Sequence, residues 1–362
     1  MAVDPSGAWL TMWRRQMARQ GVEVLRSAGV HHPHPDPMAL LDHSDPAELV
    51  GPYQSPTVGA FGRLCNGVIE SFGLRDVVMA GQVLDLDPSR GSVVARLASG
   101  QSVVARRAVL ATNTRAATWP EWAKQALTLP GSLPHRLHHV RNVDLGANVA
   151  PDADVVVVGG GLSAVQYALG AHRRGARVTL LARRPLEERA FDVDPGWLGP
   201  KYLVAFGQEQ CWDRRAELAA DARGGGTVPA RWLHQIRSTA ERSTRLEIVE
   251  GDEVLSVAVE RCRWNLNLAS QRILEASDIW LATGSSVTAD RGLSRVLHAR
   301  VPIHTAGGHP VLDHELRWCG MPIHVMGTAA TLILGPAAGN LAGARAGAAL
   351  VVSSVTGCSL DE

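Results

Sequence analysis

The sequence predicts an α/β protein built from two Rossmann-like, three-layer dinucleotide-binding domains. Each carries a small antiparallel meander, and the first is incomplete at its N-terminus. Three observations predict it. A run of four valines ahead of Gly159 reads as a fully buried strand that opens directly into Gly159-Gly160-Gly161-Leu162-Ser163-Ala164. Two blocks, residues 73–113 and 246–284, repeat one plan of short strands and turns and end in an apolar strand followed by Ala-Thr. About 150 residues precede the glycine turn, enough for a separate domain.

Gly159, Gly161 and Ala164 fall on the Gly-x-Gly-x-x-Gly/Ala spacing. Gly159 permits the tight turn, Gly161 lets backbone amides approach a pyrophosphate, and Ala164 lets helix and strand pack closely. The helix, expected at 163–174, turns its unpaired amides and positive dipole end toward the phosphates, with Gly160 and Ser163 beside them. The competing reading is an ordinary parallel-sheet turn. A second strand is expected at 177–181. A ribose-binding carboxylate ordinarily follows such a strand, roughly 20 residues after the glycines. Here the chain has Arg183 and Arg184, two guanidiniums suited to a 2′-phosphate, so NADP(H) is expected over NAD. A solvated arginine pair is the alternative. Gly224-Gly225-Gly226 reads as a mobile loop without a phosphate role.

The first block predicts strands at 83–87, 92–97 and 102–110, with turns at 88–91 and 99–100, closing at Asn113. Ahead of it, Val3-Asp4 reads as the end of a second strand, with Asp4 standing where a ribose-binding carboxylate stands. The strand, glycine turn and helix that should come first, roughly 35 to 45 residues, are expected to be missing. A disordered start with an N-cap is the other reading. The boundaries drawn are 1–151 with 285–362 for an FAD-type domain, and 152–284 for an NADP-binding domain inserted into it.

Composition narrows the function classes. Hydrophobic residues make up 46%, enough for two cores, and a net charge of +1 excludes global attraction for nucleic acid or acidic lipid. Five cysteines without a Cys-x-x-Cys pair fit a reduced, cytoplasmic protein. Met1 is not followed by a basic and then apolar leader. Residues 322–344 lack Asp, Glu, Lys and Arg, yet glycines, Pro336 and His324 interrupt them, so no membrane span is expected. The partner expected is a small-molecule substrate.

Taken together, the Val-Gly-Gly-Gly-Leu-Ser-Ala turn, the strand end Leu281-Ala282-Thr283-Gly284 and the segment 25–35 resemble two-dinucleotide flavoproteins. More narrowly, the chain resembles flavin monooxygenases of the FMO and amino-acid N-hydroxylase type. The blocks 191–201 and 335–341 are similar to those of bacterial FAD/NAD(P)-binding oxidoreductases. The resemblance implies hydride transfer from NADPH to FAD, then oxygenation of an amine or sulfur nucleophile. It places Arg26, His31, His32 and His34 on a loop facing flavin or substrate; a structural loop is the other reading. It also implies that Gly327, Gly335 and Asn340 border FAD, the last two at the start of a C-terminal helix aimed at the ring. Trp197 and Lys201 either line the nicotinamide or serve as a buried anchor and a surface lysine. The chain departs from the pattern twice: no FAD glycine turn opens it, and a Gly-Asp motif reads Gly327-Thr328. Two alternatives follow: a flavin-free NADP(H)-binding pseudoenzyme or partner module, and a redox-silent isomerase or cyclase that reuses the cleft. The histidine cluster is expected to hold no metal, since three histidines in a proline-punctuated loop do not converge. His135, His138 and His139 are expected near a domain crossing.

Overall fold

A computed structural model describes residues 1–89, 91–112, 115–147, 149–289 and 291–358. Asn113, where the first block was expected to close, and Arg90, in its first turn, lie outside the described residues.

The first half begins with strand β1 (Ala2–Asp4), then helices α1 (Thr11–Gln20) and α2 (Val58–Ser71). Strand β2 (Val78–Ala80) returns to pair with β1 in parallel. An antiparallel meander follows: β3 (Val83–Ser89), β4 (Ser92–Leu97) and β5 (Ser102–Ala105). The stretch expected as one strand over 102–110 is two. After Arg106-Arg107 the chain leaves the meander, and β6 (Ala108–Leu110) joins a different, parallel pair. Two adjacent guanidiniums disfavour burial, which places the break there.

Strand β7 (Arg115–Ala117) crosses toward the second half. Its sheet has five parallel strands in the order β8-β15-β9-β10-β11: β8 (Leu137–His139), β9 (Asp154–Val158), β10 (Arg177–Ala182), β11 (Leu246–Glu250) and β15 (Asp278–Leu281). Its edge strand β8 comes from ahead of Asp152. The strands β12 (Val254–Glu260), β13 (Arg263–Leu268) and β14 (Ile273–Ala276) form the antiparallel meander between β11 and β15.

The valine run shows why the half has three layers. Successive side chains of a strand point to opposite faces. Val155 and Val157 enter one core with Ala164, Tyr167, Ile236 and Trp280, beneath helices α3 (Leu162–Arg173) and α6 (Ala230–Arg242). Val156 enters another, with Leu181, Trp264, Leu266 and Ile279, beneath the meander. A strand buried on both faces has no position for a polar side chain.

Between β10 and β11 lie helices α4 (Pro200–Gln208) and α5 (Trp212–Arg223), ahead of α6. Strand β16 (Ser285–Val287) crosses back and pairs antiparallel with β7, so the two crossing segments form one ribbon. Helix α7 (Gly292–Arg300) and strand β17 (Ile323–Val325), which pairs in parallel with β6, complete the first half's core of Leu86, Val93, Leu110, Trp318 and Val351. Helix α8 (Leu341–Thr356) ends the described chain.

Candidate functional site

The glycine turn has the geometry a dinucleotide requires. Gly159 has φ +149°, and a side chain there would collide with the carbonyl of Ala282 on the neighbouring strand. Its N–H donates to Leu181 O at 2.9 Å, which ties the turn to β10. Gly160 faces Ala182 and Leu186. Gly161 is the N-cap of α3, and no side chain caps that helix, so its first amides keep their hydrogen-bonding capacity. Ser163 is exposed on the first turn and Ala164 is fully buried against the sheet. A twelve-residue helix with free N-terminal amides and an exposed hydroxyl suits a phosphate.

Arg183 and Arg184 are both exposed just beyond β10, on the same side as the turn. Arg184 donates weakly to Gly224 O at 3.4 Å and leans on Gly225. The triple-glycine loop, expected to be mobile and without a phosphate role, is exposed, and its Gly226 packs on the turn. A Cβ on Gly226 would lie 2.7 Å from Cα of Gly161, and one on Gly161 would lie 3.0 Å from Cα of Gly226. The absence of a side chain at Gly161 therefore admits this loop.

The loop predicted to face flavin or substrate meets the second half. Arg26 donates through Nε to Ala190 O (2.9 Å) and through Nη2 to Arg189 O and Thr227 Oγ1 (both 2.8 Å). Burial holds its pKa below the usual guanidinium value. These bonds make Arg26 a clasp between halves. His31 is half-buried with its ring 6.5 Å from Phe191. His32 is buried; its Nε2 donates to Pro37 O at 3.0 Å while its Nδ1 accepts from the amide of His34. His34 Nδ1 accepts from the Asp36 amide. Both nitrogens of His32 and Nδ1 of His34 thus serve the local backbone. Among the described residues no group of three or more His, Cys, Asp or Glu side chains is placed to hold a metal. His139 donates from Nε2 to Gly284 O at 3.0 Å, beside the crossing ribbon.

The residues assigned to FAD are spread along the first half. Asp4 ends β1, where its Oδ1 accepts from the Ser6 amide at 2.8 Å and from the Ser6 hydroxyl. Gly327, with φ +71°, follows β17, and a Cβ there would meet nothing within 4 Å, so space is open beside it. Gly335 (φ +77°) lies against Leu203 and Trp197 of the second half. Asn340 caps α8, its Oδ1 accepting from the Gly343 amide at 2.9 Å.

Two clefts lie between these parts. One, about 510 Å³, is walled by Tyr53, Phe191, Trp197 and Tyr202 with Arg189 and Asp194. Trp197 is half-buried there, and Lys201 is exposed with its ammonium 4.9 Å from the Tyr202 ring centre. The other, about 670 Å³, sits at the crossing ribbon and includes Arg115, Arg223, Ser285, His309 and Thr328. Sequence reasoning singled out neither Arg115, Arg223 nor His309. Only the pair Gly307-Gly308 ahead of His309-Pro310 marks a turn there, and a turn signal does not show what it faces.

Residues 12–195, just over half of the chain, match the family model described as pyridine nucleotide-disulphide oxidoreductase. The chain belongs to that family.

This family member is also similar in fold to solved flavoenzymes. An ornithine N-hydroxylase from a Kutzneria species, described with reduced FAD, NADP+ and L-ornithine, matches at TM-score 0.72 and 14% identity, over 94% of this chain and 89% of that one. An FAD-bound cadaverine monooxygenase from Erwinia amylovora matches at TM-score 0.68 and 14% identity, over 97% and 86%. A flavin-containing monooxygenase from Stenotrophomonas maltophilia matches at 0.61 and 15%, over 96% and 88%. At such identities the likeness is one of fold.

Proposed function

We propose that the chain is an NADPH-linked, FAD-dependent oxidoreductase of the monooxygenase type. Its substrate would be a small molecule that presents an amine or sulfur nucleophile. One observation carries the reading: an uncapped helix N-terminus stands behind a glycine turn, with two exposed arginines at the next strand end, in a chain whose other half also pairs its strands in parallel.

Gly159–Ala164 would hold the NADPH pyrophosphate, and Arg183 and Arg184 its 2′-phosphate. The first half fits a flavin at two points. Open space lies beside Gly327, at the carboxyl end of β17, and Asp4, which ends β1, would meet the ribose. When bound, FAD would accept hydride from NADPH and activate oxygen. The protein's part is binding, orientation and exclusion of water. Arg26 fixes the approach of the two halves by binding carbonyls of the segment 189–227.

The test is NADPH oxidation by the purified protein supplied with FAD, read with oxygen uptake. The reading holds if both proceed and NADH is the poorer donor. No FAD binding together with no NADPH oxidation would refute it. One observation favours a second reading, a flavin-free NADP(H)-binding module: Thr328 stands where an acid meets the ribityl chain in many flavoproteins. That reading requires a colourless protein that binds NADPH without consuming it.

A further inference from the structure

At the crossing ribbon of β7 and β16, two guanidiniums from different halves converge on one atom. Arg141 lies in the turn Val140–Asn142, just after β8 of the second half's sheet. Arg291 stands directly ahead of α7, whose Leu297 enters the first half's core. Both side chains are exposed, and both donate from Nη1 to the same oxygen, Arg115 O, at 3.0 Å each. The two nitrogens are therefore no more than about 6 Å apart, inside the screening length of about 8 Å at physiological salt. Like charges so placed repel. Among the described residues neither arginine forms an ion pair. Burial, and then the charge of Arg291, hold Arg141 below the usual guanidinium value. Of the described groups beside the pair, Arg115 is a third guanidinium, and His139 is held below its usual pKa mainly by burial while its Nδ1 accepts from the Arg141 amide. The Nε and Nη2 groups of Arg141 and Arg291 make no hydrogen bond among the described residues, so each keeps the planar edge that grips an oxyanion.

We propose that Arg141 and Arg291 form a binding site for a phosphate group, which bridges the two halves across the ribbon. A phosphate group at pH 8 carries about two charges and three acceptor oxygens, so it answers two guanidiniums at once. A carboxylate has one charge and two oxygens, enough for one of them. The bound anion replaces the repulsion with charge-assisted hydrogen bonds from Nε and Nη2, while each Nη1 keeps its bond to Arg115 O. The free ion and a small phosphomonoester present the same chemistry. The site goes beyond the proposed function, because neither arginine lines either cleft. It is also separate from the place proposed for the 2′-phosphate. Strands β8 and β10 are separated in the sheet by β15 and β9, which at about 4.8 Å per strand puts roughly 14 Å between Arg141's strand and the one that ends at Arg183 and Arg184.

The test needs neither flavin nor NADPH, so its failure is separate from failure of the oxidoreductase reading. The probes are inorganic phosphate and glycerol 3-phosphate, with acetate as the control, titrated by calorimetry at pH 8 and constant ionic strength. The parent protein is the full chain carrying Arg183→Ala and Arg184→Ala, so that the other exposed pair contributes no heat. Saturable phosphate binding is expected, at least about tenfold tighter than acetate binding. Tighter binding of the ester assigns the site to a phosphomonoester, and tighter binding of inorganic phosphate assigns it to the free ion. Arg141→Gln and Arg291→Gln each keep an amide donor and remove a charge. Either change should weaken phosphate binding at least about tenfold, with circular dichroism unchanged. A second measurement uses the unaltered chain: phosphate should slow hydrogen exchange in segments 115–117 and 285–287, and acetate should not. Absence of phosphate binding, equal binding in the parent and both glutamine variants, or acetate binding as tight as phosphate binding would overturn the proposal.

Discussion

In the proposed function, Arg183 and Arg184 would choose the nucleotide. They are exposed and bind almost nothing within the protein, so their replacement should leave the fold intact. A hydrogen bond to a charged group contributes about 1.5–3 kcal/mol. Replacing both with alanine should therefore weaken NADPH by roughly 100-fold, with NADH nearly unchanged, in a fluorescence titration. An equal loss for both nucleotides would remove the 2′-phosphate assignment. Gly161 is sensitive for two reasons, phosphate approach and contact with Gly226. In Gly161→Val the new side chain must push the triple-glycine loop aside and fill the pyrophosphate space. Calorimetry should find no NADPH binding by the folded variant; ordinary binding would place the nucleotide elsewhere.

Elements show where sequence was informative and where it was not. Strand β9 and its turn were legible because burial on both faces forces a valine run, and because glycine spacing reports a backbone requirement. Helix α3 was expected at 163–174 and runs Leu162–Arg173. The stretch 102–110 was misread as one strand, because the break at Arg106-Arg107 was overlooked and periodicity does not say which sheet a strand joins. The contact of Gly226 with Gly161 was not legible, because glycine marks both mobility and close packing. The clasp at Arg26 was legible as a residue and not as a contact, since its acceptors are backbone carbonyls more than 160 positions away. Arg26→Met keeps much of the apolar stem and strands those acceptors. These acceptors are part-buried, so leaving each unpaired costs up to about 1–3 kcal/mol, the figure for full burial. The variant should unfold at a clearly lower urea concentration and lose order where Arg26 meets Ala190 and Thr227, seen as faster hydrogen exchange in segment 189–228. Exchange at the wild-type rate there would deny the clasp.

Across the whole molecule, several histidines share one electrostatic situation. His31, His32, His139 and His309 are all held below their usual pKa, with burial the leading cause in each case. The fold therefore keeps them neutral, while the unfolded chain takes up their protons near pH 6.5. Their stabilising contribution is fully present above that value and is lost as pH falls through the folded pKa values. Carboxylates such as Asp154, held low mainly by its hydrogen bond to Arg177, stay ionised over the same range and do not offset the loss. The urea midpoint should thus fall between pH 7.5 and 5.5; a flat or rising midpoint would contradict these burials. The same molecule joins two parallel-strand halves through the ribbon of β7 and β16, and both clefts lie where the halves meet. No helix among the described residues is long and apolar enough to cross a membrane. In the proposed function the halves act together, and NADPH on one would reduce FAD on the other. Rapid mixing of the FAD-supplied protein with NADPH without oxygen tests it most directly. The account predicts loss of the visible flavin absorbance, faster with NADPH than with NADH and abolished in Gly161→Val. Flavin absorbance that persists at saturating NADPH would contradict it.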